Sequence, residues 1–302
     1  MLSPAPMPFK TIRSSGVLPK LRGFSVLDVS GPDCAAFLQA QTMNDVGQLA
    51  PGHWHWNGWL NSKGRVICLF ALLRSPDEGF IAVLPDFPAW ELQPLLQRYV
   101  FRSKVRLDPG SGLVATADLS GGTEIDAGGH DRVTGSRSEG LHLDLGGEGG
   151  PRALVLLPES SEGLGEEIAS VDAQWCRLDL AHGLPRLGPG QRESWTPQML
   201  SLERLRAYSL KKGCYPGQEI VARTHYLGQA KRQLSRVEGV GLEPGESVRD
   251  EAGAPIGTVV SVTPGREQGL AVVPAGHSLA GARVGEHAVR APRLLGGLER
   301  PV

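Results

Sequence analysis

The strongest constraint on the fold is a stretch near residue 60 in which two apolar segments flank a short polar turn. The first segment, HWHWNGWL, places Trp54 and Trp56 at alternating positions, and the second, RVICLFALL, is apolar almost throughout. Between them, Asn61-Ser62-Lys63-Gly64 has turn chemistry, because asparagine and serine bond their own backbone and glycine accepts a positive φ. The pattern predicts a β-hairpin from His53 to Leu73 whose return strand is mostly buried.

Shorter elements surround this hairpin and mix strands with helices. FSVLDV at 24–29 alternates like a half-buried strand, and Ser30-Gly31-Pro32-Asp33 then favours a helix start before apolar residues at helical spacing. FIAVLP predicts another strand. A helix is expected around Trp90–Tyr99, where Pro94 predicts a kink or a late start.

In the rest of the chain, short apolar runs separated by glycine and proline predict β-strands. The glycine-rich stretch 109–151 contains LVATADL and LHLDL, which predict short strands with loose turns. From Val237 onward, valine-rich runs alternate with Glu-Pro-Gly, Gly-Ala-Pro and Thr-Pro-Gly, a rhythm typical of a small β-barrel. We therefore expect a flexible N-terminal segment (1–19), a main region (20–235, with a second lobe over roughly 111–172) and a C-terminal barrel (236–302).

Composition excludes several classes of protein. With 302 residues, 40% of them apolar, the chain is expected to be globular. Its net charge of −1 gives no overall positive potential that would attract nucleic acid. No apolar run approaches the ~20 residues of a membrane span. The first ten residues, MLSPAPMPFK, lack the charged segment followed by an apolar core that marks a signal peptide. A cytoplasmic protein is expected. The four cysteines lie far apart in the sequence, so we predict free thiols rather than a metal-binding site or disulfides.

The stretch KKGCYPGQEIVAR, Lys211 to Arg223, offers the clearest chemistry. If a helix begins at Pro216, Cys214 lies just before its positive end, and Lys211 and Lys212 add positive potential. Such surroundings lower a thiol pKa from about 8.5 and make a nucleophilic thiolate available. The alternative is a structural turn with a buried, inert cysteine, and the residues alone leave both open.

Aromatic residues suggest a surface for a flat ring. Trp54, Trp56 and Trp59 crowd the hairpin, and tryptophan in a pocket stacks on heterocycles such as pterins and nucleobases, although each is also an ordinary core residue. His53 and His55 form a His-x-His pair. No third ligand is evident, so no metal site is predicted.

Several stretches together resemble one family. KKGCYPGQEIVARTHYLGQAKRQL is similar to the signature of the YgfZ family, folate-binding proteins related to the aminomethyltransferase (T-protein) of the glycine cleavage system. VLDVSGPDCAAFLQAQTMNDV, WLNSKGRVICLFALLR and QWCRLDLAHGLPRL follow in the family's order. The resemblance covers most of residues 20–235. It implies an α+β, aminomethyltransferase-like multi-domain ring with a central channel and a small C-terminal β-barrel.

The resemblance also implies a cofactor, partners and site residues. The cofactor is tetrahydrofolate or a related reduced folate, and the partners are iron–sulfur client enzymes or assembly proteins, with tRNA contacted only indirectly and no membrane. Cys214 would be the reactive thiol, assisted by Lys212. The implied folate residues are Trp175, Phe24 (where a relative has tryptophan), Asn61, Lys63, Arg65, Tyr215, Gln218, Glu219 and Arg223.

One departure bears on the chemistry. Where the family commonly carries a glutamate, this chain has Ala181, so a carboxylate that would bind the pterin is missing. We expect Asp179, two positions earlier on a strand and so on the same face, to replace it in part. Asn61 likewise stands where many relatives have aspartate.

Three functions remain open from the sequence. The leading hypothesis is a folate-binding accessory protein of iron–sulfur assembly or repair that supports tRNA-thiolating radical enzymes. The alternatives are a folate-dependent aminomethyl transferase and a folate-responsive module that binds RNA or protein through a basic rim. Whether the protein is an enzyme stays undecided at this point.

Overall fold

The computed structural model describes residues 16–75, 79–120, 130–228 and 230–300. Most of the predicted N-terminal segment, residues 1–15, lies outside these ranges. The elements are, in chain order, β1 (Leu18–Pro19), β2 (Phe24–Ser30), α1 (Cys34–Gln41), β3 (Trp54–Leu60), β4 (Val66–Arg74), β5 (Phe80–Pro85), α2 (Ala89–Gln97), β6 (Arg106–Asp108), β7 (Leu113–Asp118), β8 (Val133–Ser136), β9 (Gly140–Asp144), β10 (Ala153–Pro158), β11 (Leu164–Gly165), α3 (Ala169–Ala181), α4 (Gln218–Leu227), β12 (Arg232–Glu238), β13 (Ser247–Arg249), β14 (Pro255–Val262), β15 (Gln268–Pro274), β16 (Arg283–Val284) and β17 (His287–Ala288), with 3-10 turns at Val46–Gln48, Pro189–Gln191 and Leu202–Leu205.

The first lobe is a five-stranded antiparallel sheet in the order β3-β4-β5-β2-β6, with α1 and α2. The predicted hairpin is confirmed: β3 pairs with β4 in a register that sets Trp54 opposite Leu73, and every residue of β3 is buried. The predicted strands β2 and β5 and the helix α1 are confirmed as well. Helix α2 runs through Pro94 rather than starting after it.

The glycine-rich middle forms a second antiparallel sheet, in the order β7-β10-β9-β8. LVATADL and LHLDL supply β7 and β9, as predicted, and β10 between them is buried over most of its length. Residues 121–129 of this region lie outside the described ranges. The start of the chain contacts this sheet, because Lys20 forms a β-bridge with Thr116 of β7 and the Leu21 N–H donates to the Ala115 carbonyl oxygen at 2.9 Å, whereas β1 and β11 pair in parallel as a separate two-stranded sheet.

Helix α3 contradicts one expectation. The sequence analysis predicts a strand around Asp179, but Ala169–Ala181 is a helix. On a helix, two residues that are two positions apart point about 200° apart around the axis. Asp179 therefore cannot present its carboxylate on the face that carries Ala181.

The C-terminal strands form a six-stranded antiparallel sheet in the order β12-β15-β14-β13-β16-β17. Its two edges meet, because the Glu238 N–H donates to the Arg290 carbonyl and the Arg290 N–H donates to the Glu238 carbonyl, each at 2.8 Å. The valine-rich runs point inward and form their own core. This closure confirms the predicted small barrel.

The longest helix in the described ranges, α3, has 13 residues. Nowhere in those ranges is there a helix with the length and apolar character that a bilayer crossing requires.

Candidate functional site

The cysteine motif packs against the turn of the first hairpin. The Asn61 side chain organises that turn, since its Oδ1 accepts from the N–H groups of Lys63 and Arg65 at 2.9 and 3.0 Å. Gly217, at φ +77°, approaches the turn so closely that a Cβ there would lie 2.5 Å from the Asn61 carbonyl oxygen and 2.6 Å from Gly64 Cα. The glycines of the motif and of the turn therefore allow the contact between two segments about 150 residues apart in the sequence.

Cys214 lies in the loop before α4 and is exposed. The helix begins at Gln218, with Gly217 at its N-cap, so Pro216 precedes the helix instead of standing in its first turn. The thiol is accessible, as the reactive-thiol hypothesis requires. The structural alternative of a buried cysteine is wrong.

Lys212 is buried and serves the packing of the loop. Its ammonium donates to the carbonyl oxygens of Thr42 and Asn44 at 2.6 and 2.8 Å and lies 5.1 Å from the centroid of the Tyr215 ring. Burial lowers the pKa of Lys212 to about 8. Since the charge is engaged by carbonyl dipoles some 170 positions back along the chain, its predicted assistance to Cys214 stays a prediction.

The remaining motif residues surround the same loop. The Tyr215 hydroxyl donates to the Ser209 carbonyl oxygen, and burial raises the pKa of Tyr215. Gln218 Nε2 donates to the Lys212 carbonyl oxygen at 3.2 Å. The Arg65 guanidinium donates to the Ser194 carbonyl oxygen, and Lys63, Glu219 and Arg223 are exposed.

Phe24 and Trp175 meet elsewhere, where β2 faces α3. Their rings pack edge to face with centroids 6.5 Å apart. The indole of Trp175 is 1% exposed, and one of its faces is covered by the Arg152 guanidinium at 4.7 Å. The structure thus groups the predicted folate residues in two places, one around the cysteine loop and one around Trp175.

Asp179 is fully buried and held by two arginines. Its Oδ1 accepts from Arg152 at 2.7 Å and its Oδ2 from Arg186 at 3.2 Å. Arg186 also pairs with Asp86. Both oxygens of the carboxylate that we expected to meet a pterin are therefore engaged in an internal ion-pair network.

A cavity of about 640 Å³, hereafter the first cavity, opens beside the Phe24–Trp175 pair. It lies between the first lobe, α3 and the C-terminal barrel. Asp172 forms part of its wall: Oδ1 accepts from the Arg22 backbone N–H at 2.9 Å, whereas Oδ2 is buried and has no hydrogen-bond partner within the described ranges. Sequence reasoning missed Asp172, although a helical interpretation of 169–181 would have set it one turn before Trp175.

The tryptophans of the hairpin do not line the first cavity. Trp56 Nε1 donates to the Leu298 carbonyl oxygen at 2.7 Å, and the Arg300 guanidinium lies 4.9 Å from the Trp54 ring centroid. The C-terminal tail, residues 293–300, thus covers both rings in the interior. Trp59 lies on the other face of the sheet, in a separate core. A stacking role for the hairpin is not supported by this arrangement.

Thiol labelling provides a direct check of the exposed cysteine. We expect a disulfide reagent that reports on free thiols to modify one cysteine per folded chain and four after denaturation, because Cys34, Cys68 and Cys176 are buried and Cys214 is exposed. Burial raises the pKa of Cys68 and of Cys176 to about 12, which further suppresses their reaction. Cys214→Ser should abolish labelling of the folded chain. Fast modification of two or more sites would contradict the structure.

Known proteins are similar to this chain in sequence and in fold. No protein-family model matches it. The tRNA-modifying protein YgfZ of Pectobacterium atrosepticum is 28% identical over 251 residues, which cover 77% of this chain and 73% of that protein. The YgfZ protein of Edwardsiella ictaluri is 29% identical over 238 residues, covering 74% and 71%. The chain is thus similar in sequence to the YgfZ proteins over about three quarters of its length.

A comparison with solved structures identifies the fold. The glycine cleavage system aminomethyltransferase T from Bartonella henselae superimposes with a TM-score of 0.67 over 93% of this chain and 85% of that one, at 16% identity. At that identity the likeness establishes the fold alone. The predicted resemblance to YgfZ and the predicted aminomethyltransferase-like α+β fold are both confirmed.

Proposed function

We propose that this protein is a YgfZ-type accessory factor that binds a reduced folate and supports the assembly or repair of iron–sulfur enzymes, including radical enzymes that thiolate tRNA. Its similarity to proteins named as tRNA-modifying supports the tRNA-related role. The aminomethyltransferase-like fold supports folate as the cofactor. The iron–sulfur clients are inferred from the family resemblance.

The observation that carries the folate part is the unpartnered Asp172 oxygen in the wall of the first cavity. A pterin presents an amino group and a ring N–H on one edge, and a buried carboxylate oxygen without a donor favours such a ligand. The cavity volume of about 640 Å³ lies within the range of small-molecule sites. The residues present therefore fit a folate, although the carboxylate is not the one that the sequence suggested.

The other residues of the first cavity fit the rest of the ligand. The Phe24 ring provides an aromatic edge for the pterin. Arg22 and Arg266 stand at the wall with exposed side chains, each paired with one glutamate. A guanidinium has five N–H donors, so both arginines retain donors for the carboxylates of a glutamyl tail. When bound, a reduced folate supplies one-carbon chemistry.

Calorimetric titration with tetrahydrofolate and 5-formyltetrahydrofolate tests this site. We expect Asp172→Asn to weaken binding about tenfold or more, because a hydrogen bond to a charged group contributes roughly 1.5–3 kcal/mol. The comparison variant is Glu219→Gln, which removes an exposed carboxylate from the motif helix and should leave an affinity set by the first cavity unchanged.

The two variants also separate the ways in which the proposal can fail. Equal affinity in Asp172→Asn and wild type would place the folate elsewhere, and a selective loss in Glu219→Gln would place it at the cysteine loop. No heat with any reduced folate at millimolar concentration would remove the cofactor from the proposal.

The thiol part of the proposal assigns Cys214 to contact with the client. An exposed sulfur in a glycine-rich loop is accessible to a cluster, a persulfide or a one-carbon adduct. In a strain that lacks the gene, wild type should restore tRNA methylthiolation and iron–sulfur enzyme activity, and Cys214→Ala should fail to do so. Gly213→Ala, a neighbouring change into open space, should complement fully. Full rescue by Cys214→Ala would exclude the thiol from the function.

A further inference from the structure

A second cavity, of about 740 Å³, lies between the segment 203–211 and helix α4. None of the residues that the sequence assigned to folate lines it. Its volume is that of a small-molecule or nucleotide site. The question is which ligand its wall would recognise.

The wall carries an unpartnered acceptor. Gln198 is 6% exposed; its Nε2 donates to the Val221 carbonyl oxygen at 2.8 Å, whereas its Oε1 is buried and accepts no hydrogen bond from any residue that the structure describes. The donors of the neighbouring Asn44 amide are already used, on the Trp56 and Arg206 carbonyl oxygens. A buried acceptor without a donor is costly, so this wall favours a ligand that brings N–H groups.

A carboxylate in the same wall strengthens that preference. Glu203 also lines the cavity, and because the residue is exposed its carboxylate can accept N–H donors from a ligand. Two acceptors in one wall, an amide oxygen and a carboxylate, are complementary in kind to the ring N–H and the amino group of guanine.

The mouth of the cavity combines an aromatic ring with unpaired cations. Tyr226 is 69% exposed, and its ring packs edge to face with that of His225 at 5.0 Å between centroids. Arg206 and Lys211 line the cavity, are exposed, and form no ion pair with any residue in the described ranges. Exposed aromatic rings beside free cations are typical of surfaces that bind single-stranded nucleic acid.

We propose that the second cavity binds a guanine nucleotide of single-stranded RNA. The base stacks on Tyr226 and donates from its N1–H and its 2-amino group to Gln198 Oε1 and the Glu203 carboxylate. Lys211 and Arg206 contact the flanking phosphates. Lys231 and Arg232 follow the cavity wall directly in the chain and are exposed, which favours a strand longer than one nucleotide over a free small molecule.

The test is fluorescence anisotropy with a labelled, unstructured RNA of twelve nucleotides that contains one guanosine, and with its twin in which inosine replaces that guanosine. Inosine lacks the 2-amino group, so we expect about tenfold weaker binding, the effect of losing one hydrogen bond to a charged acceptor. Glu203→Gln should reduce the preference for guanosine over inosine.

Surface variants test the stacking and the phosphate contacts. Tyr226→Ala should weaken binding at least about fivefold, the lower limit for loss of a base–aromatic stack. Trp90→Ala removes a ring with the same exposure, 68%, outside the cavity and should have no effect. Lys211→Ala should reduce the slope of log affinity against log salt by about 0.7, the change expected for the loss of one phosphate contact with a single strand. The control variant Arg98→Ala should leave the slope unchanged.

Three results would overturn the proposal: equal affinity for the guanosine and inosine strands, no effect of Tyr226→Ala, or a folate that binds here and displaces the RNA. A pterin has the same donor edge as guanine, so 5-formyltetrahydrofolate is included as competitor. Asp172→Asn should leave RNA binding unchanged, which separates this site from the proposed folate site. Unaltered thermal unfolding of each variant confirms that the fold is intact.

Discussion

Arg152→Met is expected to lower the free energy of unfolding by about 3–5 kcal/mol, the usual cost of removing one partner from a buried ion pair. Arg152 is 1% exposed, and its guanidinium donates to Asp179 Oδ1 at 2.7 Å and to the carbonyl oxygens of Leu145 and Trp175. Methionine has comparable length but no donors. The carboxylate of Asp179 would keep its bond to Arg186, at 3.2 Å, and the carbonyl oxygens of Leu145 and Trp175 would each lose one donor.

Urea unfolding followed by tryptophan fluorescence measures this loss, and Arg22→Met is the matched control. Arg22 pairs with Glu167 at 2.9 Å, but its side chain is 69% exposed, and exposed pairs contribute about 0–1 kcal/mol. The same substitution should therefore differ several-fold in cost between the two sites. A loss below about 1 kcal/mol for Arg152→Met would contradict the buried network around Asp179.

Gly217→Ala is expected to lower the free energy of unfolding by about 2–5 kcal/mol and to displace the cysteine loop. An L-residue at φ +77° costs roughly 1–2 kcal/mol, and overpacking a filled site adds about 1–3 kcal/mol. The new methyl group would meet backbone atoms of Asn61 and Gly64 at 2.5–2.7 Å, and backbone cannot turn aside as a flexible side chain can. Either the turn or the loop has to move, and Cys214 moves with the loop.

The control for this prediction lies four residues away. Gly213 has no neighbour within 4 Å of a Cβ position and does not have positive φ, so Gly213→Ala should change stability by less than about 0.5 kcal/mol. Thermal unfolding and the rate of thiol labelling measure both variants. A Gly217→Ala protein with wild-type stability and labelling would show that the motif does not pack on the hairpin turn as described.

Much of the local structure followed from the sequence. Alternation and apolar runs placed β2, β3, β4 and β5, and the helix signals after Ser30 placed α1, because these patterns depend on neighbours within a few residues. The one clear error was α3. Its apolar residues are buried around much of the helix, so the stretch lacks a distinct helical stripe and also permits a strand.

The sequence by itself determined the resemblance to YgfZ and the α+β class, since each rests on short-range pattern or on a specific local signature. Only the tertiary structure decided which polar groups are free. Asp179 is bound by Arg152 and Arg186, and Lys212 is bound by carbonyl groups about 170 residues earlier. Asp172 has one oxygen that accepts no hydrogen bond from the residues that the structure describes. Those outcomes depend on partners brought together from distant segments, and no local periodicity encodes which distant donor reaches a given carboxylate.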